Sequence, residues 1–350
     1  MTLAASLLAL AGVLLVSITT SVTIGPVKIE PLNVWRIVGH HALPFGLSAG
    51  VDITDIPKAQ QNIIWLIRMP RVLLAAVIGA ALAVVGVAMQ AMVRNPIAEP
   101  YILGVSSGAA VGAVLVILWG WFKFWGGNAL SFAAFLGGLI SFALVFVLSQ
   151  KGGRITPLRL ILVGIAVSQI GGAITSFVTF RARNQEGIQN ALFWLAGSVA
   201  GAKWEHLRLP ALALLVGLGI LLLQARAMNA LVAGEETAVT LGINTTRFRA
   251  MLMVVSALLV GTMVAVAGSI GFVGLIMPHI IRIVFGSDHR RVLPLAALCG
   301  AIFLIWVDVG ARMVAAPQEL PVGVITSAIG GPFFLWMLRF NSRQIEGAGR

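Results

Sequence analysis

The 350 residues carry 24 Lys and Arg against 12 Asp and Glu, a net charge of +12, yet 59% of them are hydrophobic, only 10% are charged, and the mean hydropathy is +0.99. That balance excludes a water-soluble globule, and because the basic residues stand singly in loops rather than on one face it also excludes a nucleic-acid-binding protein. The single cysteine, Cys299, excludes an internal disulfide and reads as a small side chain in a late apolar span. What remains is an all-α polytopic membrane protein.

A helix needs roughly 20 apolar residues to cross the hydrocarbon layer at about 1.5 Å per residue. The chain offers about ten such stretches, at 3–24, 70–93, 101–120, 129–149, 158–180, 208–226, 248–268, 272–286, 292–315 and 322–340, as one transmembrane domain over residues 1–350. The first has neither a basic leader nor a small-residue cleavage site, so it reads as a retained helix. Between it and the second lies a polar segment, 25–67, whose prolines and two short amphipathic pieces, around Pro31–His41 and Asp55–Arg68, place it on the membrane surface.

The second span opens with Arg68-Met-Pro-Arg71 and runs through small residues to Arg94-Asn-Pro-Ile-Ala-Glu-Pro-Tyr-Ile-Leu-Gly-Val-Ser-Ser-Gly108. Gly104, Gly108 and Gly112 recur every fourth residue, a smooth helical stripe that lets backbones approach where lipid supplies no hydrophobic driving force. The same stretch spells Gly-x-Ser-x-Gly. That pattern has chemical meaning only at a strand-to-helix elbow, and a membrane helix is not that context.

In the fifth span Ser168, Gln169, Gly172, Thr175, Ser176 and Thr179 make an uncharged polar strip, suited to helix packing or to a wall along which a bulky cargo slides. A half-length apolar stretch at 191–202 reads as a re-entrant or surface helix. Between the sixth and seventh spans, in the loop 228–249, Gly234 and Gly242 bracket a short helix with Glu235 and Glu236 in its first turn, where the helix dipole favours acids. A helix this short needs a partner to hold it. Basic loops at 151–154, 226–249, 289–291 and 339–350 fall on one side, which the positive-inside rule makes cytoplasmic.

Asp308 is a carboxylate deep in an apolar span, a functional candidate by default, but it sits four residues before Arg312 and so reads first as half of a helix-face ion pair. His279 stands in Met-Pro-His without companions at ligand spacing, while His40, His41, His206 and His289 are loop residues. A faint echo of Gly79–Gly86 at 257–268 would make two inverted halves of five spans each. Together with Asp308 it is the only support for an ion-coupled secondary transporter. No Gly-x4-Gly-Lys-Ser/Thr loop occurs, so the chain has no phosphate cradle of its own for ATP.

The Arg68–Arg71 and Arg94–Gly108 motifs, with Glu319-Leu-Pro-Val-Gly323 and the run through Trp336, resemble the permease subunits of bacterial ABC importers for ferric siderophores, haem and cobalamin. The resemblance implies a type II importer permease fold in the bacterial cytoplasmic membrane, with no cofactor of its own. Its partners would be a second permease copy or close paralogue, two copies of an ATPase subunit carrying ATP and Mg, and an extracytoplasmic substrate-binding protein. By the same resemblance Gly234, Glu235, Glu236, Ala238, Leu241 and Gly242 form the helix that couples to the ATPase, and Arg68, Arg71 and Arg312 dock the binding protein. Thr156, Pro157 and Leu158 fall where such permeases place a cytoplasmic gate. The runs Asn190–Ser198 and Val93-Arg-Asn-Pro look most like ferric-citrate and siderophore members, with haem and cobalamin as the other cargoes.

Overall fold

The computed structural model describes residues 2–25, 29–42, 52–152 and 154–340. The chain spans the membrane with α1 (Leu3–Thr23), α4 (Met69–Val93), α5 (Val105–Trp119), α6 (Ala129–Ser149), α7 (Pro157–Phe180), α9 (Trp204–Leu223), α12 (Thr245–Ala267), α13 (Val273–Phe285), α14 (His289–Met313) and α15 (Val322–Phe340). Seven described helices are long and apolar enough to cross a bilayer, and α5, α13 and α15 are shorter apolar helices. Three pieces lie outside these spans before α9: α2 (Pro31–Ala42), α3 (Lys58–Asn62) and α8 (Gln185–Leu195). Two more, α10 (Ala225–Ala233) and α11 (Glu235–Thr240), join α9 to α12.

The fold is built around α4, in which every residue except Leu73, Ala76 and Val77 is buried. Its run of Ala, Gly and Val leaves no bulk to hold neighbours off, so packing rather than hydrophobicity drives the contact. A Cβ on Gly79 would stand 2.1 Å from the Gly300 carbonyl of α14, and one on Gly86 1.9 Å from the Gly274 carbonyl of α13. The same device joins α5 to α6, where a Cβ on Gly108 or Gly112 would meet the Gly137 or Ala133 carbonyl at 2.2 and 2.1 Å. Gly104 departs from the expected stripe. It lies before α5 at φ 70°, ending a short 3-10 turn, and its carbonyl accepts from the Ser141 and Ser107 hydroxyls at 2.7 and 2.8 Å. The third span therefore starts at Val105, four residues later than the hydropathy places it.

The surface segment bears out the amphipathic reading on its described residues, 26–28 and 43–51 lying outside them. α2 buries Val34 and Ile37, and Arg36 reaches across to Asp55 at 2.7 Å. A π-turn, Ile63–Arg68, leads into α4. Its Trp65 stacks on His41, at 4.6 Å between ring centroids, and meets Trp204 at a tilt, at 4.5 Å, and the Trp204 indole donates to the Trp65 carbonyl at 2.8 Å. His41 is thus an aromatic spacer that seats α2.

The half-length apolar stretch is α8, which begins at Gln185 under an Asn184 cap, six residues earlier than the apolar run. One feature is not helical. Gln150–Lys151 and Arg154–Ile155 form a two-stranded antiparallel hairpin before α7, with Gln150 opposite Ile155. Cys299 is only partly buried.

Replacing Gly79 by Val would force α4 and α14 apart, and overpacking of this kind typically costs about 1–3 kcal/mol. We expect a lower thermal unfolding midpoint and lower yield in detergent for Gly79→Val. Gly219→Ala in α9, where an added Cβ meets nothing within 4 Å, should change neither.

Candidate functional site

Two polar nodes occupy opposite ends of α4, and a polar cavity lies between them. At one end Arg71 of α4 enters a closed ion cluster. Its guanidinium lies 2.9 Å from Asp308 of α14 and 2.8 Å from Glu319, and Arg312, one turn after Asp308, lies 3.2 Å from the same aspartate. Asp308 is fully buried, so two arginines neutralise a carboxylate that water cannot reach. Arg312 also donates to the Ser21 carbonyl and hydroxyl and to the Ile24 carbonyl at 3.0–3.2 Å, and Arg68 donates to the Val22 carbonyl at 2.7 Å. These bonds tie down the end of α1, whose last carbonyls lack helical partners.

The Asp308–Arg312 pair expected from the four-residue spacing is present, but Arg71, 237 residues away in sequence, completes it. The resemblance implies that Arg68, Arg71 and Arg312 dock a binding protein; in this chain all three are buried, with carbonyls at the end of α1 and the Asp308 carboxylate as acceptors that offset the cost of taking each guanidinium out of water.

At the other end α11 leaves Ala238 buried and exposes Glu236, Val239 and Leu241, the last two by 58% and 66%. Gly234 before it adopts φ 148° and Gly242 after it φ 79°, conformations that favour glycine. Glu235, 48% exposed along its side chain, is also held from within. Its carboxylate accepts from both terminal nitrogens of Arg249 in α12, at 3.1 and 3.0 Å, and from the Thr245 hydroxyl at 3.1 Å. Hydrogen bonding to Arg249, foremost, holds the Glu235 carboxyl below its ordinary range, with Arg94 a smaller contributor. So of the six residues expected at the ATPase contact, Ala238 is buried and the half-exposed Glu235 is bonded to Arg249.

The gate residues sit beside this node. Thr156 precedes α7, Pro157 is its first residue, and Leu158 is 69% exposed. Along α7 the expected polar strip divides. Gln169, Gly172 and Ser176, spaced three and four apart, are exposed on one line, whereas Ser168, Thr175 and Thr179 are partly covered. The Thr179 hydroxyl donates back to the Thr175 carbonyl at 2.8 Å, a helical turn away.

The cavity between the nodes was not read from the sequence. Three irregular segments, 94–104, 196–203 and 268–272, meet within the helix bundle and are bonded to one another and to the adjoining ends of α12 and α15. Ser198 donates to the Ala267 carbonyl at 2.7 Å, Gly323 to the Gly197 carbonyl at 3.2 Å, and the Phe272 N–H to Glu99 Oε1 at 2.6 Å. They enclose an open cavity of about 550 Å³ lined by Glu99, Tyr101, Ser269, Phe272 and Ser327 among others. The available signal was the acid in Asn-Pro-Ile-Ala-Glu-Pro, a charge between two spans, and the Gly-rich break between α12 and α13. His279 is buried edge-on against Phe333, at 6.0 Å between centroids. Ser106 of the Gly-x-Ser-x-Gly match lies inside α5 with a buried hydroxyl.

Comparison with known proteins places this arrangement of bundle, broken spans and a short exposed helix among transport proteins. Residues 13–340 match the FecCD transport family, and the chain belongs to it. It is 39% identical to the cobalamin import system permease protein BtuC of Halobacterium salinarum, over 95% of each chain. It is 43% identical to the hemin transport system permease protein HmuU of Yersinia pestis, over 81% of this chain and 85% of that one. Among solved structures, a metal-chelate type ABC transporter in an inward-facing conformation superposes with a TM-score of 0.81 at 32% identity, covering 95% of this chain and 98% of that one. The chain is accordingly an ABC importer permease, a multi-pass component of the inner membrane that transports rather than catalyses.

Removing one partner of a buried ion pair strands the other, typically at about 3–5 kcal/mol. Asp308→Asn should therefore lower the unfolding midpoint in detergent well below that of Glu319→Gln, whose side chain is 40% exposed. Equal midpoints for the two variants would contradict the cluster's buried character. The Glu235 pair has the sign of a depressed carboxyl: its contribution is full above the ordinary carboxylate range and is lost as pH falls through the lowered folded value. The midpoint difference between wild type and Glu235→Gln should be present at neutral pH and close on acidification.

Proposed function

We propose that this chain is half of a dimeric permease that moves a metal complex inward, driven by two ATPase subunits that grip α11. The observation that carries the reading is α11 itself. A six-residue helix is too short to stand alone, and this one presents Val239 and Leu241 at the end of the bundle where the basic loops lie, away from the hydrocarbon. Apolar side chains so placed call for a protein partner. The sequence has no nucleotide-binding loop, so ATP and Mg belong to that partner.

The exposed line Gln169, Gly172 and Ser176 on α7 then faces the second copy, or a close paralogue, across the pathway, with Thr156, Pro157 and Leu158 at its inner mouth. Uncharged hydroxyl and amide groups let a bulky, partly polar cargo pass without holding it. At the far end a substrate-binding protein delivers cargo. Its carboxylates would meet Arg68, Arg71 and Arg312 only by competing with internal acceptors, Glu319 at the water edge being the one most easily displaced. Lipid surrounds the rest, and no nucleic acid takes part.

For the cargo, the relatives' names cover cobalamin and hemin, and the structural neighbour is of metal-chelate type. The common chemistry is a metal caged in an organic ligand. The runs Asn190–Ser198 and Val93–Pro96 favour an iron chelate, a ferric siderophore or ferric citrate, with haem and cobalamin the alternatives. The ion-coupled reading loses its support at Asp308, because a carboxylate clamped by two arginines is not free to exchange a proton or ion.

The test is co-purification of this chain with its ATPase subunit from membranes. Val239→Asp with Leu241→Asp should abolish capture while the permease still folds, and undiminished capture would remove α11 from the interface. Ligand binding by the cognate binding protein tests cargo separately. Saturation by a ferric chelate supports the iron reading, and saturation by haem or cobalamin overturns it.

A further inference from the structure

The geometry points to Arg249 as the positioning residue that carries movement of α11 to the base of α7. This rests on the reading of α11 as the ATPase contact and adds the route by which that contact reaches the pathway. Arg249 is on α12 and 4% exposed, and its guanidinium joins three parts of the chain that share no helix. Both terminal nitrogens bind the Glu235 carboxylate at the start of α11. One of them also donates to the Ile155 carbonyl at 3.3 Å, in the second strand of the hairpin. Two residues beyond Ile155, Pro157 starts α7.

Each element of the joint is matched to stiffness. The planar guanidinium binds a carboxylate through two parallel bonds, which fixes angle as well as distance. The Thr245 hydroxyl, one turn before Arg249 on α12, holds the same carboxylate oxygen, so Glu235 cannot swing on a single bond. The hairpin closes Gln150 onto Ile155, so a pull on the Ile155 carbonyl moves the end of α6 and the start of α7 together. Arg249 is buried, so water does not reach its side of the contacts, while the Glu235 side chain is half-exposed. A surface ion pair would be worth little here, whereas one shielded on the arginine side resists the screening that weakens exposed pairs. The exposed apolar face of α11 is thereby free to bind outward while its first residue is anchored inward.

The experiment uses the complex of this chain with its ATPase subunit in lipid nanodiscs, and follows amide hydrogen exchange with and without ATP and vanadate over residues 150–160 and 235–242. In the wild type both segments should change on nucleotide trapping. In Arg249→Ala the change should persist in 235–242 and be lost in 150–160. A purely structural role for Arg249 would instead raise exchange in 150–160 equally in both nucleotide states, leaving the difference between them intact. That result, or a wild-type-sized difference at 150–160 in Arg249→Ala, would overturn the inference, as would a wild type in which only 235–242 responds. A wild type in which 235–242 itself is silent would defeat the ATPase-contact reading instead. If Arg249→Ala does not assemble, Glu235→Gln and Arg249→Lys are read in the same way, since each removes the two-nitrogen contact. Loss at 150–160 in both supports the joint, and a wild-type-sized response there in either overturns it.

Discussion

A backbone amide or a charge placed in hydrocarbon must find its partner inside the protein, and the architecture follows from meeting that demand at places where the helices are broken. Unbroken spans satisfy it by themselves. The breaks at 94–104, 196–203 and 268–272 do not, and they are tolerated because they find partners in one another and in neighbouring helix ends: Ser198 reaches Ala267 of α12, Gly323 of α15 reaches Gly197, and Glu99 takes the Phe272 N–H. The same rule accounts for Asp308, which is buried and flanked by Arg71 and Arg312. Close glycine contacts along α4 bring α4, α13 and α14 within reach of one another.

Function follows from how differently the two ends are finished. At the Arg71 end Arg68, Arg71 and Arg312 are bonded to internal acceptors, which makes a cap over α1, α4 and α14. At the Arg249 end one ion pair is likewise internal, but the helix it anchors shows apolar side chains to the outside. A cap and an anchored, unpartnered helix are the two attachments that a conduit worked by an external motor requires. Between them the polar line on α7 and the Glu99 cavity supply surfaces that a partly polar cargo could touch.

Much of the fold was legible because membrane spans are written in length and hydropathy, and the ten expected spans correspond to ten helices with ends shifted by a few residues. The shifts have causes. Gly104 continues the four-residue rhythm of Gly108 and Gly112 but sits at positive φ, and the 150–155 hairpin is too short for any period to show. The site was legible only where partners are neighbours in sequence. Spacing revealed Asp308 with Arg312, but it could not reveal Arg71 with Asp308 or Glu235 with Arg249, which depend on how helices pack. The chain therefore announced which residues carry charge and not which way they face. Arg68, Arg71 and Arg312 are accordingly buried against internal acceptors, and Glu235, though half-exposed, is tied to Arg249.

The central claim is that the chain conducts and something else drives it. The direct measurement is uptake of a labelled ferric chelate into proteoliposomes that contain this permease and its binding protein, with the ATPase subunit and internal ATP either supplied or withheld. The account predicts accumulation only when ATPase and ATP are both present, and none under an imposed proton or sodium gradient alone. Gradient-driven accumulation by the permease without the ATPase would contradict it.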